Sequence, residues 1–170
     1  MPSEFILSRL AVAYSPVPGP SNAGFDGIDR IRTWLAQHGV QGGTGGVIGI
    51  AHAANGHIYF GFSAALQAEC KDLRLTARIR DAHPTIQTYC NSITQTLPGF
   101  QQMWNPGCAE KKIFSFVKSA GTTITNLTVG PYPEDRVNSG LSSHVALGSG
   151  SEVYIAPCSS CRSAYTTWSM

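Results

Sequence analysis

Apolar positions along the chain recur with two different periods, which predict a mixture of helices and strands. A helix is predicted from an N-cap at Asp26 to a stop at Gly39, because the apolar residues between them recur at helical spacing. Two apolar runs rich in β-branched and aromatic residues, 47–53 and 57–62, then flank Asn55-Gly56. An Asn-Gly pair between such runs is a strong signal for a β-hairpin.

The remainder of the chain continues this alternation. Helices are predicted over residues 64–81, 86–97 and 108–120, strands over residues 122–129 and 152–156, and a last helix ending at Trp168. The mixing of helices with strands throughout one chain indicates an α/β sandwich built on a single sheet.

The first part of the chain has a different composition. Residues 14–24 are rich in proline, glycine and serine, which disfavours both a helix and a central strand. We therefore expect residues 1–24 to be an N-terminal segment and linker, and residues 25–170 to form one domain. A chain of 170 residues is long enough to bury a core of its own.

Charge and hydropathy exclude several classes of protein for this chain. Charged residues make up 13% of the chain and the net charge is +2, whereas an average domain is roughly 25% charged. These values exclude a disordered chain, an acidic tail and a strongly basic nucleic-acid clamp, but not an enzyme that grips nucleic acid through a local basic path. The start of the chain does not have the pattern of a signal peptide, and no apolar run is long enough to span a membrane. We expect a cytoplasmic site of action and no membrane partner.

The cysteines carry the candidate chemistry. Cys108-Ala109-Glu110 opens a predicted helix, and Pro157-Cys158-Ser159-Ser160-Cys161 opens another directly after a strand. Thiolates at helix N-termini are stabilised by the unpaired amides and the helix dipole. Three cysteine ligands suit zinc and leave a fourth position open for water, as in a catalytic site, and Glu110 would lie beside that water. Cys70 and Cys90 are expected to pack in the core.

Two other interpretations of the cysteines remain open. A structural zinc site normally has a fourth protein ligand, and neither Cys70 nor Cys90 lies in a paired motif that would supply one. A redox Cys-x-x-Cys pair does not account for the distant Cys108-x-Glu110. The two motifs together therefore favour a catalytic zinc site over both alternatives.

Zinc-dependent deaminases carry His-x-Glu and Pro-Cys-x-x-Cys motifs, with cysteine in place of the histidine in one variant. Residues 108–121 and 155–162 match that variant, so the chain resembles the cytidine deaminase superfamily. The resemblance implies a three-layer α/β/α sandwich with a central mixed sheet and an N-terminal β-hairpin. It also implies one catalytic Zn²⁺ held by Cys108, Cys158 and Cys161. Glu110 would move protons between water, the base and the leaving amine, with the Ala109 amide near the base carbonyl.

Departures from the family pattern bear on the substrate. Free-nucleoside deaminases have an Asn and a Glu that hold the ribose where this chain has Ser63 and Ala65. The segment between Phe62 and Cys108 is also longer than in small family members, as is the loop 130–143. Such additions are similar to those of deaminase domains of bacterial polymorphic toxins, which act on nucleic acids and would imply an immunity protein as partner. A toxin domain of this kind is delivered as the C-terminal part of a larger secreted protein.

Further residues are candidates for contact with such a substrate. Trp104 precedes the zinc helix and could stack on the target base or simply close the core. Basic residues at helical spacing could follow phosphates or form a solvated face. The candidate phosphate contacts are Lys71, Arg74 and Arg78, and the remaining candidate substrate contacts are Ala109, Phe62, Ser63, Pro157 and His144.

The function favoured by the sequence is zinc-dependent hydrolysis of cytosine to uracil in nucleic acid, with single-stranded DNA ahead of RNA and duplex DNA. A base in a duplex must first be flipped out, which an unpaired strand avoids. The motifs do not separate cytosine from adenine, so the base is implied by the resemblance. The alternatives are a deaminase of free cytidine or a nucleoside analogue, and a zinc-stabilised binding module without turnover.

Overall fold

Helices and strands alternate along the chain in a computed structural model, which describes residues 9, 12–42, 45–70, 85–93, 107–133, 146–147 and 154–170. The helices are α1 (Asn22–Gln37), α2 (Ala64–Cys70), α3 (Ala109–Ser119) and α4 (Ser159–Thr167). The strands are β1 (Val47–Ala53), β2 (Ile58–Phe62), β3 (Thr88–Cys90), β4 (Ile124–Pro131), β5 (Ala146–Leu147) and β6 (Tyr154–Ile155). None of the helices in this described part has the length and apolar character needed to cross a membrane.

The central sheet has four strands in the order β3-β2-β1-β4. β1 is antiparallel to both β2 and β4, whereas β2 and β3 are parallel. β5 and β6 form a separate antiparallel pair, and β6 contacts β4. The expected α/β class, the mixed sheet and the N-terminal hairpin are therefore confirmed.

The hairpin between β1 and β2 turns where the Asn-Gly pair predicted it. The Gly56 amide donates to the Ala53 carbonyl at 3.0 Å, and the Asn55 side-chain oxygen accepts from the His57 amide at 3.0 Å. Gly56 has a φ of +82°, a conformation that side chains other than glycine rarely adopt. The local hydrogen bonds and this glycine are sufficient to set the turn.

Alternate residues of the strands face two separate apolar clusters. On one face, Ile48 and Ile50 of β1 pack in a cluster with Ile28, Ile31 and Leu35 of α1. On the other face, Val47, Ala51 and Ala53 pack in a cluster with α3 and α4. Helices therefore cover both faces of the sheet, and both faces of each central strand are buried.

A flat patch of two glycines lets α3 approach the sheet closely. Gly49 and Gly61 are directly paired across β1 and β2. A methyl group added at Gly49 would lie 3.0 Å from Ile113 Cδ1, and one added at Gly61 would lie 3.2 Å from the Ala109 carbonyl oxygen. The first turns of α3 thus rest on backbone, which fixes the height of the helix above the sheet.

Residues 14–24 take part in the fold, although their composition predicted a linker. The N-cap of α1 is Ser21, whose hydroxyl accepts from the Gly24 amide at 3.0 Å, so the prediction of Asp26 as N-cap is wrong. The helix begins inside the predicted linker, and Tyr14 and Val17 are buried in the cluster of α3 and α4. The division of the chain into residues 1–24 and 25–170 stays a prediction.

The predicted helix over residues 86–97 is wrong for residues 88–90, which form β3. β3 pairs in parallel with β2, and the Tyr89 ring packs on Phe60 and Phe62 with centroid distances of 5.0 and 5.9 Å. Aromatic packing on the neighbouring strand outweighs the weak local preference for a helix. Residues 71–81 of the preceding predicted helix lie outside the described residues. Cys70 and Cys90 are both fully buried, as expected of core cysteines.

Substitution of the two glycines by alanine tests the close approach of α3. We expect Gly61→Ala to lower the free energy of unfolding by about 1–3 kcal/mol, because its new methyl group would press on the backbone carbonyls of Ala109 and Cys90. Gly49→Ala should cost less, since its nearest neighbour is the flexible end of Ile113. Urea unfolding followed by circular dichroism measures both. Equal stability of Gly61→Ala and the wild type would contradict the packing argument.

Candidate metal centre

The first cysteine of the site stands at the start of α3. Cys108 is the N-cap residue of the helix, and its side chain makes no capping hydrogen bond. The carbonyl of Gly107 accepts from the Ala64 amide at 2.9 Å. A Cβ at position 107 would lie 2.6 Å from the Ala64 Cβ, so glycine is required there. This contact places Cys108 next to the start of α2, at the end of β2.

The other two cysteines stand at the start of α4. Cys158 is the N-cap of that helix and follows β6 and the buried Pro157, while Cys161 lies in its first turn. Both cysteines are buried. The starts of α3 and α4 meet here, so the positive ends of two helix dipoles point toward the same group of sulfur atoms.

The three sulfur atoms form a cluster that could hold a metal ion. The Sγ atoms of Cys108, Cys158 and Cys161 all lie within 4.8 Å of one another. Sulfur ligands about 2.3 Å from a tetrahedral ion are about 3.8 Å apart, so separations within 4.8 Å are compatible with binding one ion. No second group of three metal-ligating side chains is found within the described ranges. The structure thus brings together the three ligands predicted from sequence.

The thiols of the cluster influence one another. Hydrogen bonds from Cys108 and Cys158, with burial, raise the pKa of Cys161 well above its usual range. The hydrogen bond with Cys158 similarly raises the pKa of Cys108. Without a cation, therefore, the Cys108 and Cys161 thiols hold their protons. A divalent metal ion supplies the opposing charge, and its binding would release protons from these groups.

Glu110 lies against this cluster, as predicted. Its side chain is 1% exposed, and its Oε2 atom accepts from the Cys161 Sγ at 3.6 Å. Glu110 is in the first turn of α3, where the helix dipole favours a negative charge. The carboxylate is thus held beside the three thiols and away from bulk solvent.

Two buried lysines near the site were not predicted from sequence. Lys111 is 0% exposed and Lys112 is 5% exposed. The Lys111 Nζ donates to the hydroxyl of Ser160, between the two cysteines of α4, at 2.8 Å. The Lys112 Nζ donates to the Phe62 carbonyl at 2.9 Å and to the Gln67 Oε1 at 2.6 Å. These bonds join α3 to α4 on one side and to β2 and α2 on the other.

Burial lowers the pKa of Lys112 to about 8. A signal for this residue was available in the sequence, because Lys112 is four residues after Cys108 and hence on the same face of the helix. Lysine is rarely fully buried unless it is paired, so the residue type alone does not predict burial at these positions. The hydrogen-bond acceptors that permit their burial come from distant parts of the chain.

The predicted substrate contacts are only partly brought together. Ala109 and Pro157 are buried next to the ligands. The Phe62 ring packs with Phe60 and Tyr89 in the cluster on the opposite face of the sheet. The Ser63 hydroxyl accepts from the Val47 amide at 3.0 Å and donates to the Gly45 carbonyl at 2.9 Å.

The remaining candidate residues lie outside the described residues. They are Trp104 and His144, proposed to contact the base, and Lys71, Arg74 and Arg78, proposed to contact phosphates. The roles of all these substrate contacts stay predictions. Comparisons with protein-family models, curated proteins and solved structures find no match to this chain.

Removal of one sulfur ligand tests the metal centre. We expect the wild type, purified with zinc in the medium, to carry one zinc ion per chain. Cys108→Ala should lose it, because the two remaining sulfur ligands hold the ion too weakly. Cys90→Ala is the matched control, since Cys90 is equally buried but outside the cluster. Elemental analysis of both variants measures the effect. Retention of a full equivalent by Cys108→Ala would contradict the assignment.

Proposed function

We propose that the protein is a zinc-dependent hydrolase that deaminates cytosine to uracil in nucleic acid, with single-stranded DNA as the preferred substrate. The observation that carries the proposal is the position of Glu110. Its carboxylate lies 3.6 Å from a ligand thiol and is almost fully buried. A metal cluster that serves only stability has no use for such a group, whereas a hydrolytic site needs one.

The donor set supports zinc as the metal. Three cysteine sulfurs are soft ligands that suit zinc, and three protein ligands leave a fourth coordination position for water. When bound, zinc supplies a Lewis acid that lowers the pKa of a water ligand to about 7. Cys108, Cys158 and Cys161 would hold the ion, and their burial limits exchange with solvent.

Glu110 has the position required for proton transfer. In the proposed reaction water adds to C4 of cytosine, and the C4–N4 bond then breaks to release ammonia and leave uracil. The Glu110 carboxylate takes one proton from the water and delivers it to N3. It then takes the proton of the new C4 hydroxyl and supplies it to the leaving amine, so that the C4 oxygen becomes the carbonyl of uracil. Its burial at a helix N-terminus keeps the carboxylate oriented toward the thiol cluster.

The arrangement of helices also supports the proposal. Helices cover both faces of the mixed sheet, and the two motifs of the site open α3 and α4. This arrangement is compatible with the three-layer sandwich of the cytidine deaminase superfamily, which the two motifs resemble. We include membership of that superfamily in the proposal.

The residues that follow β2 favour a polynucleotide over a free nucleoside as the substrate. The Ser63 hydroxyl is bound to two backbone groups, and Ala65 offers only a methyl group. Neither side chain can bind the ribose hydroxyls as free-nucleoside deaminases do. Binding of a polynucleotide can draw on phosphate contacts instead. We extend the proposal to the polymorphic-toxin branch, which would act in the cytoplasm and be blocked by an immunity protein.

Substitution of the carboxylate tests the reaction. We expect Glu110→Gln to keep a full equivalent of zinc and to lose at least about 100-fold in the rate of ammonia release, because proton transfer contributes about 100- to 10,000-fold. Asp29→Asn is the control for loss of one carboxylate, since Asp29 lies on α1 on the opposite face of the sheet. Deamination by Glu110→Gln at the wild-type rate would overturn the mechanism.

A substrate panel tests the substrate class. We expect uracil to form faster in single-stranded DNA than in RNA, duplex DNA or free cytidine. An unpaired strand avoids the cost of flipping a base out of a duplex, a few kcal/mol, and free cytidine lacks the ribose contacts that Ser63 and Ala65 cannot supply. The measurement is sequencing of the nucleic acids and chromatography of the nucleoside after incubation with the zinc-loaded protein. Turnover of free cytidine alone would exclude the nucleic-acid part of the proposal. Full zinc binding with no turnover of any substrate would instead support a binding module.

A further inference from the structure

The hydroxyl of Tyr14 lies between two strands that do not pair with each other in the main sheet. Tyr14 is 0% exposed. Its hydroxyl donates to the Ile155 carbonyl of β6 at 3.0 Å and accepts from the Val129 amide of β4 at 3.0 Å. Burial raises the pKa of Tyr14, so the hydroxyl keeps the proton that it donates. One side-chain oxygen thus satisfies a backbone group on each strand.

The rest of the same segment is also held against β4. The Gly19 carbonyl accepts from the Leu127 amide at 3.2 Å, two residues before Val129 along β4. Val17 is buried, and its amide donates to the Tyr14 carbonyl at 2.9 Å in a turn. Residues 14–19 therefore follow the edge of β4 that β1 does not occupy. The segment fills this edge in the region where β6 approaches.

The contact with Ile155 reaches the second metal motif directly. Ile155 is the last residue of β6, and it is followed by Ala156, Pro157 and the ligand Cys158. These connecting residues are buried, and proline restricts the backbone between them. A shift of Ile155 is therefore transmitted to Cys158 and to the first turn of α4, which contains Cys161. Among the described residues, Cys108 is positioned instead by Gly107 and by the packing of α3.

We propose that Tyr14 is a positioning residue for the metal centre, which clamps β6 to β4 and so sets Cys158 and Cys161 opposite Cys108. Residues 14–19 then help to position the metal site and do not serve only as a spacer before it. This inference rests on the metal-binding part of the proposed function and is independent of the reaction and the substrate.

Tyr14→Phe tests the clamp, because it removes the hydroxyl and keeps the ring in the core. Tyr59→Phe is the matched control. Tyr59 is also buried on the face of the sheet toward α3, but its hydroxyl accepts from the Asn55 side chain near the hairpin turn. Both full-length variants lose one buried tyrosine hydroxyl, and circular dichroism verifies that each is folded.

The first readout is alkylation of the metal-free protein, with each cysteine followed by mass spectrometry. In Tyr14→Phe we expect Cys158 and Cys161 to react at least about fivefold faster than in the wild type, because loss of a buried hydrogen-bond partner loosens their strand. Cys70 and Cys90 should react at the wild-type rate. In Tyr59→Phe all five cysteines should be unchanged.

The second readout is the affinity for zinc, measured by competition with a chelator. We expect Tyr14→Phe to bind zinc about tenfold more weakly, as is typical when a residue that orients ligands is altered. The inference is overturned if Cys158 and Cys161 of Tyr14→Phe react at the wild-type rate. It is also overturned if all five cysteines become more reactive together, because that result would show a role in overall stability only. If the wild type binds no zinc, the proposed function fails, and the alkylation rates still decide whether the clamp exists.

Discussion

The packing of α3 on the paired glycines of the hairpin is the constraint on which the site depends. Gly49 and Gly61 remove two side chains from the middle of the sheet, so the first turns of the helix rest on backbone. This packing fixes the start of α3 above the end of β2, where Gly107 contacts the start of α2. A larger residue at Gly61 would press on the Ala109 carbonyl and so move Cys108 and Glu110 with the helix. The positions of Cys108 and Glu110 thus follow from the absence of two side chains.

The second half of the site is positioned by different means. α4 follows β6, which lies outside the four-stranded sheet and is bound to β4 through the Tyr14 hydroxyl. Lys111 adds a bond from α3 to Ser160 in the first turn of α4. The three cysteines therefore converge from two helices that rest on different strands and are joined by the Lys111–Ser160 bond. This division explains how residues far apart in sequence can meet to within a few ångströms.

The features predicted correctly from sequence are those that short segments specify. The Asn55-Gly56 turn, α3 and α4 depend on local hydrogen bonds and helical periodicity. The start of α1 was not predicted, because the N-cap Ser21 is fixed by hydrogen bonds to residues that are distant in sequence. Its amide donates to the Thr128 hydroxyl and its own hydroxyl donates to the Asn126 side chain. β3 was missed for the same reason, since three residues become a strand only through parallel pairing with β2.

Prediction of the site from sequence is limited in the same way, because contacts between distant parts of the chain decide some of its features. Its ligands and Glu110 could be predicted because the two motifs specify residue types at fixed spacing. The orientation of Phe62 could not, because the face of β2 that meets α3 is known only once the glycines are placed. Tyr59 and Gly61 occupy that face, so the Phe62 ring points to the opposite cluster. The acceptors of Lys112 were likewise hidden, since Phe62 and Gln67 come from other elements.

The balance of charge around the site explains why two lysines are buried there. With a divalent ion bound, three thiolates and the Glu110 carboxylate leave an excess of two negative charges in a buried region. An unbalanced charge in such a place is costly, because it has lost its hydration. Lys111 and Lys112, next in sequence to Glu110, bring two ammonium groups to the same helix, and both are buried. The formal charges then cancel. One turn and a half of α3 therefore supplies a ligand, a carboxylate and the positive charge that permits both to be buried.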